Sequence, residues 1–255
     1  MDRVKVNFTL RWIVTPAIVL LGIAATAYYC LQNGYVRFNY PSRDNYPVQG
    51  VDVSHHQGDI DWAKLASTGL RFAYIKATEG GDFKDKRFLQ NWSDARTHGF
   101  IAGAYHFFTF CRPVKDQIAN IMRSVPQAAD SLPVAIDLEF GGNCKRMPQP
   151  ASLLNDIRFM ADELSRYYGK APLLYLTPEF DEAYPEIRKM GLKIWIRNIY
   201  FEPSDSEVWT VWQYSNRGLL PGVEVPVDLN VFRGSASEFK EFYRGSLASS
   251  LKKGG

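Results

Sequence analysis

Five carboxylates stand at or near the ends of short apolar runs in this 255-residue sequence: Asp52, Glu79, Asp137, Glu139 and Asp228. Asp137 and Glu139 are two residues apart, and on a strand such a pair faces one side with Cα atoms about 6.6 Å apart. Two carboxyls on one face can take different pKa values, one kept protonated by its neighbours' charge while the other stays ionised. That division of labour suits glycoside cleavage, in which an acid protonates the leaving oxygen and a negative group steadies an oxocarbenium-like transition state. Taken alone, Asp-x-Glu reads more readily as a strand end capping the next loop. The aromatic supply tilts the balance, because Tyr105, Phe107, Phe108, Tyr175, Trp195, Trp212 and Tyr214 lie near strand ends, where ring faces can stack on sugars.

Other chemistries have less support. His55 and His56 beside Asp52, Asp137, Glu139 and Asp228 suggest a metal-dependent polysaccharide deacetylase. Adjacent histidines on extended backbone point to opposite sides, which is poor geometry for one ion, so neither a metal nor a cofactor is expected. His56 then reads as the partner of a carboxylate, and His98 as a helix-end residue. Cys111 and Cys144 each follow a strand end, and a loop-to-loop disulfide and two buried thiols fit the sequence equally well.

Positioning such carboxylates requires strands that end together. Apolar or β-branched runs bounded by Gly, Pro or polar turns recur at 49–53, 72–77, 101–107, 134–138, 173–176, 194–197, 208–214 and 227–231. Helical patterns fall between the early ones, at 62–68, 86–97, 114–128, 152–168 and 179–189, with Asp61 as an N-cap and Gly99 and Gly169 as stops. Segments after Trp195 and Trp212 are too short or too rich in Pro and Gly for full helices. Strand-helix alternation implies a parallel sheet, and eight strands predict a single α/β fold, a βα-barrel with a helix-poor last third. The C-terminal strand ends of such a barrel form its mouth, so the five acids are expected to meet there.

Composition sets the outer bounds. The chain is 46% hydrophobic and 22% charged, an ordinary globular balance that excludes disorder and collagen. Of the net charge of +3, the first eleven residues supply +2 through Arg3, Lys5 and Arg11 against Asp2. The remainder carries only +1, which offers no footprint for nucleic acid. Residues 12–31 are uncharged and about as long as a membrane-crossing helix, and the basic tail 1–11 before them predicts an extracytoplasmic remainder. Ala25-Thr26-Ala27 also fits a signal-peptidase site, but the apolar run continues through Tyr28, Tyr29 and Leu31, favouring a retained anchor over cleavage after Ala27. The expected organisation is thus a membrane segment at 12–31, a linker at 32–47, a barrel at 48–240 and a polar tail at 241–255.

Six ordered blocks make the reading specific. Gly50-Val-Asp-Val-Ser-His-His-Gln-Gly58, Ala73-Tyr-Ile-Lys-Ala-Thr-Glu-Gly80, Gly103-Ala-Tyr-His-Phe-Phe108, Pro133-Val-Ala-Ile-Asp-Leu-Glu139, Trp212-Gln-Tyr-Ser215 and Val227-Asp-Leu-Asn-Val-Phe232 together resemble glycoside hydrolase family 25, the Chalaropsis-type lysozymes. The resemblance implies an irregular barrel of about five βα units followed by helix-poor strands. It implies hydrolysis of the β-1,4 bond between N-acetylmuramic acid and N-acetylglucosamine in peptidoglycan strands. By matched position Glu139 would be the general acid/base and Asp137 its strand partner. Asp52 and Asp228 would be flanking acids, and Glu79, Tyr105, Trp195 and Tyr214 would line the substrate cleft. The expected protein is a retaining enzyme, a monomer held to the membrane by its N-terminal segment. A tethered, non-catalytic wall-binding module is the rival, disfavoured because a pure binder needs no protonated carboxyl beside an ionised one. Two departures stand out: Arg197 replaces the family's small residue after the sixth strand, implying a different groove wall, and the loop Phe140 to Pro148 carries Lys145 and Arg146.

Overall fold

The computed structural model describes residues 8–145, 147–204 and 206–244, in two compact units that divide between Arg37 and Phe38. The basic positions before residue 8, Arg146 and the tail from 245 lie outside the described residues. The first unit is helix α1 (Phe8–Gln32), of which Val14–Gln32 is long and apolar enough to cross a membrane, with a mean hydropathy of 1.8.

In the second unit the chain runs β1 (Gln49–Val53), α2 (Trp62–Ala66), β2 (Phe72–Glu79), β3 (Phe83–Lys84), α3 (Phe88–Thr97), β4 (Ile101–Phe107), α4 (Val114–Ser124) and β5 (Ala135–Leu138). It continues through α5 (Pro150–Tyr168), β6 (Leu173–Leu176), α6 (Pro178–Ala183), β7 (Lys193–Arg197), β8 (Val211–Gly218), β9 (Val227–Phe232) and α7 (Ala236–Arg244). Strands β1, β2 and β4 to β8 are parallel in succession. The last strand departs from the all-parallel expectation: β9 is antiparallel to both β8 and β1 and closes an eight-stranded barrel. Only eight residues separate β8 from β9, too few for the helical crossover that a parallel neighbour requires.

Side chains alternate along each strand between two apolar layers. Phe72, Tyr74, Ala135, Leu173, Tyr175, Trp195 and Val211 fill the barrel, and Ile75, Ile136, Leu174, Ile196 and Trp212 pack outward with the helices. Gly103 makes room for the Tyr74 ring, since a Cβ there would stand 2.6 Å from that ring and 2.7 Å from Leu132 Cβ. Helix α7 plugs the barrel floor with Phe239 and Phe242, and it crosses the expected boundary at residue 240. Its N-terminus is a capping box, in which Ser235 and Glu238 bond each other's backbone N–H at 3.2 and 2.7 Å.

Several sequence expectations are corrected. The segment expected as one helix over 179–189 is α6 followed by a 3-10 turn (Pro185–Met190), because Pro185 cannot continue the hydrogen-bond ladder. Phe38 onward, expected as the end of a linker, belongs to the barrel unit, where buried Asn39 donates to the Asn198 carbonyl at 3.3 Å. His55 and His56 lie on a 3-10 turn (His55–Gln57), not on extended backbone, and their rings are 4.1 Å apart. His55, rather than His56, partners a carboxylate, with Nδ1 2.7 Å from Asp85 Oδ2.

On the outer face of β4, His106 is fully buried between Thr78 and Gln117. The Gln117 amide donates to the Thr109 and Arg112 carbonyls, so its Oε1 accepts from His106 Nε2–H, and Nδ1 accepts from the Thr78 hydroxyl. Burial holds this neutral imidazole's pKa down at about 4. A folded-state value below the unfolded one means that His106 stabilises the fold above about pH 6.5, and that this contribution is lost as pH falls toward 4. The wild-type protein is expected to lose about 2 kcal/mol more than a His106→Gln variant between pH 7 and pH 5 in urea unfolding. Parallel pH profiles for the two proteins would contradict this.

Candidate active site

At the mouth of the barrel a cleft of about 390 Å³ is lined by Asp52, Tyr105, Asp137, Glu139, Tyr175, Trp195, Arg197, Gln213 and Asp228, among others. Strand register explains the grouping. Asp137, Tyr175 and Trp195 are consecutive partners across β5, β6 and β7, and Asp52 lies opposite Asp228 across β1 and β9. Of the eight expected site residues, Glu139, Asp137, Asp52, Asp228, Tyr105 and Trp195 come together on this wall. Tyr214 does not: it follows Gln213 on β8, so it turns outward and packs in the outer apolar layer beside Trp212. Glu79 is not on the wall either. The β2–β4 register shifts between Lys76 and Thr78, and Glu79 Oε2 holds Lys76 Nζ at 2.7 Å.

Asp52 sits at the end of two donor chains. Its Oδ2 accepts from Gln213 Nε2 at 2.9 Å and Asn230 Nδ2 at 2.7 Å. Tyr175 OH donates to Gln213 Oε1 at 2.9 Å, and the Trp195 indole donates to Asn230 Oδ1 at 2.9 Å. An indole and a phenol so placed leave each amide only its NH2 to offer Asp52, so the network favours a carboxylate there. Burial pulls the other way and raises the Asp52 pKa, with the two amides opposing it. Asp228 shares a hydrogen bond with Asp52, and burial together with the Asp52 charge drives its pKa well above the usual carboxylate range. Asp228 therefore holds the proton of that pair.

The second pair is Asp137 and Glu139. Burial and then the charge of Glu139 push Asp137 well above the usual carboxylate range, and its Oδ1 is buried without a hydrogen-bond partner. Glu139 is 23% exposed; burial raises its pKa, and the cations Arg197 and Lys76 oppose the rise. The pair thus shares protons, with the deeper Asp137 the harder to ionise. An unpartnered buried carboxyl oxygen beside a half-buried acid is the arrangement expected where a ligand supplies the missing donor.

Asn143, which the sequence did not single out, anchors the chain beyond Glu139. Its Nδ2 donates to the carbonyls of Glu139 at 3.1 Å and Phe108 at 2.8 Å, while its Oδ1 accepts from the N–H of Phe110 at 3.1 Å and Cys144 at 2.9 Å. The Cys111–Cys144 disulfide, one of two alternatives open from sequence, clamps the same two loops. Gln213 and Asn230 carry no periodic mark in the sequence, because buried amides leave none; their one signal is a place inside the blocks Trp212–Ser215 and Val227–Phe232. Among the described residues no group of three or more His, Cys, Asp or Glu is placed to hold a metal.

The family described as Glycosyl hydrolases family 25 matches residues 51–223. A solved family 25 glycosyl hydrolase from Bacillus anthracis is 38% identical with a TM-score of 0.75, covering 81% of this chain and 97% of that one. A bacterial lysozyme from Streptomyces coelicolor superposes with a TM-score of 0.70 at 30% identity, covering 77% of this chain and 97% of its own. Lysozyme M1 of Streptomyces globisporus is 34% identical over 216 residues, 76% of this chain and 70% of that protein.

Proposed function

The chain belongs to glycosyl hydrolase family 25 and is a glycoside hydrolase, and we propose that it acts as an N-acetylmuramidase in which Glu139 is the general acid/base. The reading is carried by one observation above the others: the buried, unpartnered Oδ1 of Asp137 beside the half-buried carboxyl of Glu139. An acetamido group on the sugar offers an N–H to that oxygen. Accepting it favours the Asp137 carboxylate, and the shared proton then resides on Glu139, next to the glycosidic oxygen it must protonate.

From there the substrate's own acetamido oxygen attacks the anomeric carbon as the leaving oxygen takes the Glu139 proton. Asp137 orients the amide and balances the positive charge that develops on it. Water, deprotonated by Glu139, then opens the cyclic intermediate, so configuration is retained. Asp52 and Asp228 keep one negative charge across the cleft, while Tyr105 presents ring surface to the glycan and the buried Trp195 holds Asn230 against Asp52. A non-catalytic wall binder and a deacetylase both fit these features less well than a family 25 hydrolase does.

Extracytoplasmic action agrees with the Cys111–Cys144 disulfide, a bond that persists in oxidising compartments. We read α1 as a retained membrane anchor, because the apolar helix runs on to Gln32, past Ala25-Thr26-Ala27, and we read the enzyme as a single chain. Digestion of purified peptidoglycan is expected to leave new reducing ends on muramic acid. Reducing N-acetylglucosamine as the sole new end would overturn the bond assignment.

A further inference from the structure

Arg197 enters the chemistry above only through its field on Glu139, yet its geometry is that of a cation awaiting a closer partner. It lies two residues beyond Trp195 at the end of β7, so its side chain shares the mouth-facing side and joins the cleft wall. Its Nη1 is 4.0 Å from Glu139 Oε2, and its Nη2 is 3.4 Å from both carboxylate oxygens of Glu179. Charge-assisted N–H···O contacts ordinarily close to about 2.7–2.9 Å. Both carboxylates therefore stand off from the guanidinium. The contrast with Lys76, the other cation near Glu139, is direct: its Nζ is 2.7 Å from Glu79.

A guanidinium has five donors in a rigid fork matched to a carboxylate. Glu179 is 64% exposed, so a bound anion can displace it at little cost, whereas Glu139 must stay free for proton transfer. A muramic acid residue carries a lactyl ether whose carboxyl is a free anion when no stem peptide is attached and a neutral amide when one is. We propose that Arg197 is a specificity-determining residue that binds the free lactyl carboxylate of muramic acid, so that the enzyme prefers glycan strands from which stem peptides have been removed. The inference rests on the muramidase reading.

The test uses the full-length protein and one strand preparation, stripped of stem peptides by an amidase and divided in two. One half keeps its lactyl carboxylates and the other has them converted to the neutral methylamide. The quantity measured is the ratio of kcat/KM between the halves, because Arg197 also acts on Glu139 and its loss changes absolute rates on both. Wild type is expected to favour the anionic strands roughly tenfold, mostly through KM, as a single charge-assisted contact would give. Arg197→Ala brings the ratio near one, and Arg197→Lys, which keeps the charge without the fork, leaves an intermediate value. Equal ratios in wild type and Arg197→Ala, with both strands cleaved, would overturn the role of Arg197 alone. A wild-type protein that cleaves neither strand would overturn the muramidase reading along with it. A third arm measures binding of strands not treated with the amidase, and tighter binding of these stem-bearing strands that depends on Arg197 would assign the contact to a peptide carboxylate and reject the lactyl one.

Discussion

Glu139→Gln is expected to lower kcat on peptidoglycan at least about 10²-fold while leaving glycan binding nearly unchanged. Glutamine keeps the shape of the side chain but has no proton to give the leaving oxygen. The pH profile should change with it. Burial raises the Glu139 pKa, so the wild-type enzyme keeps its acid form above the ordinary glutamate range, and activity falls as pH rises through that raised value. The variant's residual activity should lack this alkaline limb. A fully active Glu139→Gln protein, or one whose alkaline limb persists, would remove Glu139 from the role of proton donor.

Asp137→Asn is expected to lower kcat by about 10²-fold, the scale of losing one electrostatic stabiliser aimed at developing charge. Asparagine fills the same space but cannot carry the negative charge that an acetamido group needs as it becomes cationic. In the substrate complex, where Asp137 carries the charge and Glu139 the proton, the substitution also takes a like charge away from Glu139. The Glu139 pKa then falls, and the alkaline limb of the variant should move to lower pH, a shift that a merely structural defect would not produce. NMR of the first-formed wild-type product should show the retained anomer. An inverted product would exclude the acetamido route, and one of Asp137, Asp52 and Asp228 would have to serve as the base that activates water.

Asn143 shows how the site depends on parts that no motif marks. Four main-chain groups on two loops meet one side-chain amide, and a disulfide ties the same loops together. Sequence could place Cys111 and Cys144 near strand ends, but pairing requires their Cα atoms to approach to 6.2 Å, a distance between residues 33 positions apart. Helix α7 is a different case. Ser235 and Glu238 stand at capping-box spacing, yet the expected boundary at residue 240 cuts through the nine-residue helix they open.

Local pattern determined the strands, most of the helices and the level of the acids. Periodicity and turn residues depend on near neighbours, so β1, β4 and β6 begin and end where the sequence alone puts them. Alternation likewise determined that Asp137 and Glu139 share a face. The tertiary structure decided what lies across from what. Tyr214 turned outward because Gln213 took the inward position on β8. Asp52 gained its donor chains because Asn230 on the antiparallel β9 and Gln213 on β8 reach one carboxylate from 178 and 161 residues away. Arg197 acquired its loose carboxylate partners only when β7 closed beside the loop that carries Glu139 and helix α6, which carries Glu179. Such pairings depend on barrel closure, and closure sums many weak contacts at long sequence separation, which no local window of residues contains.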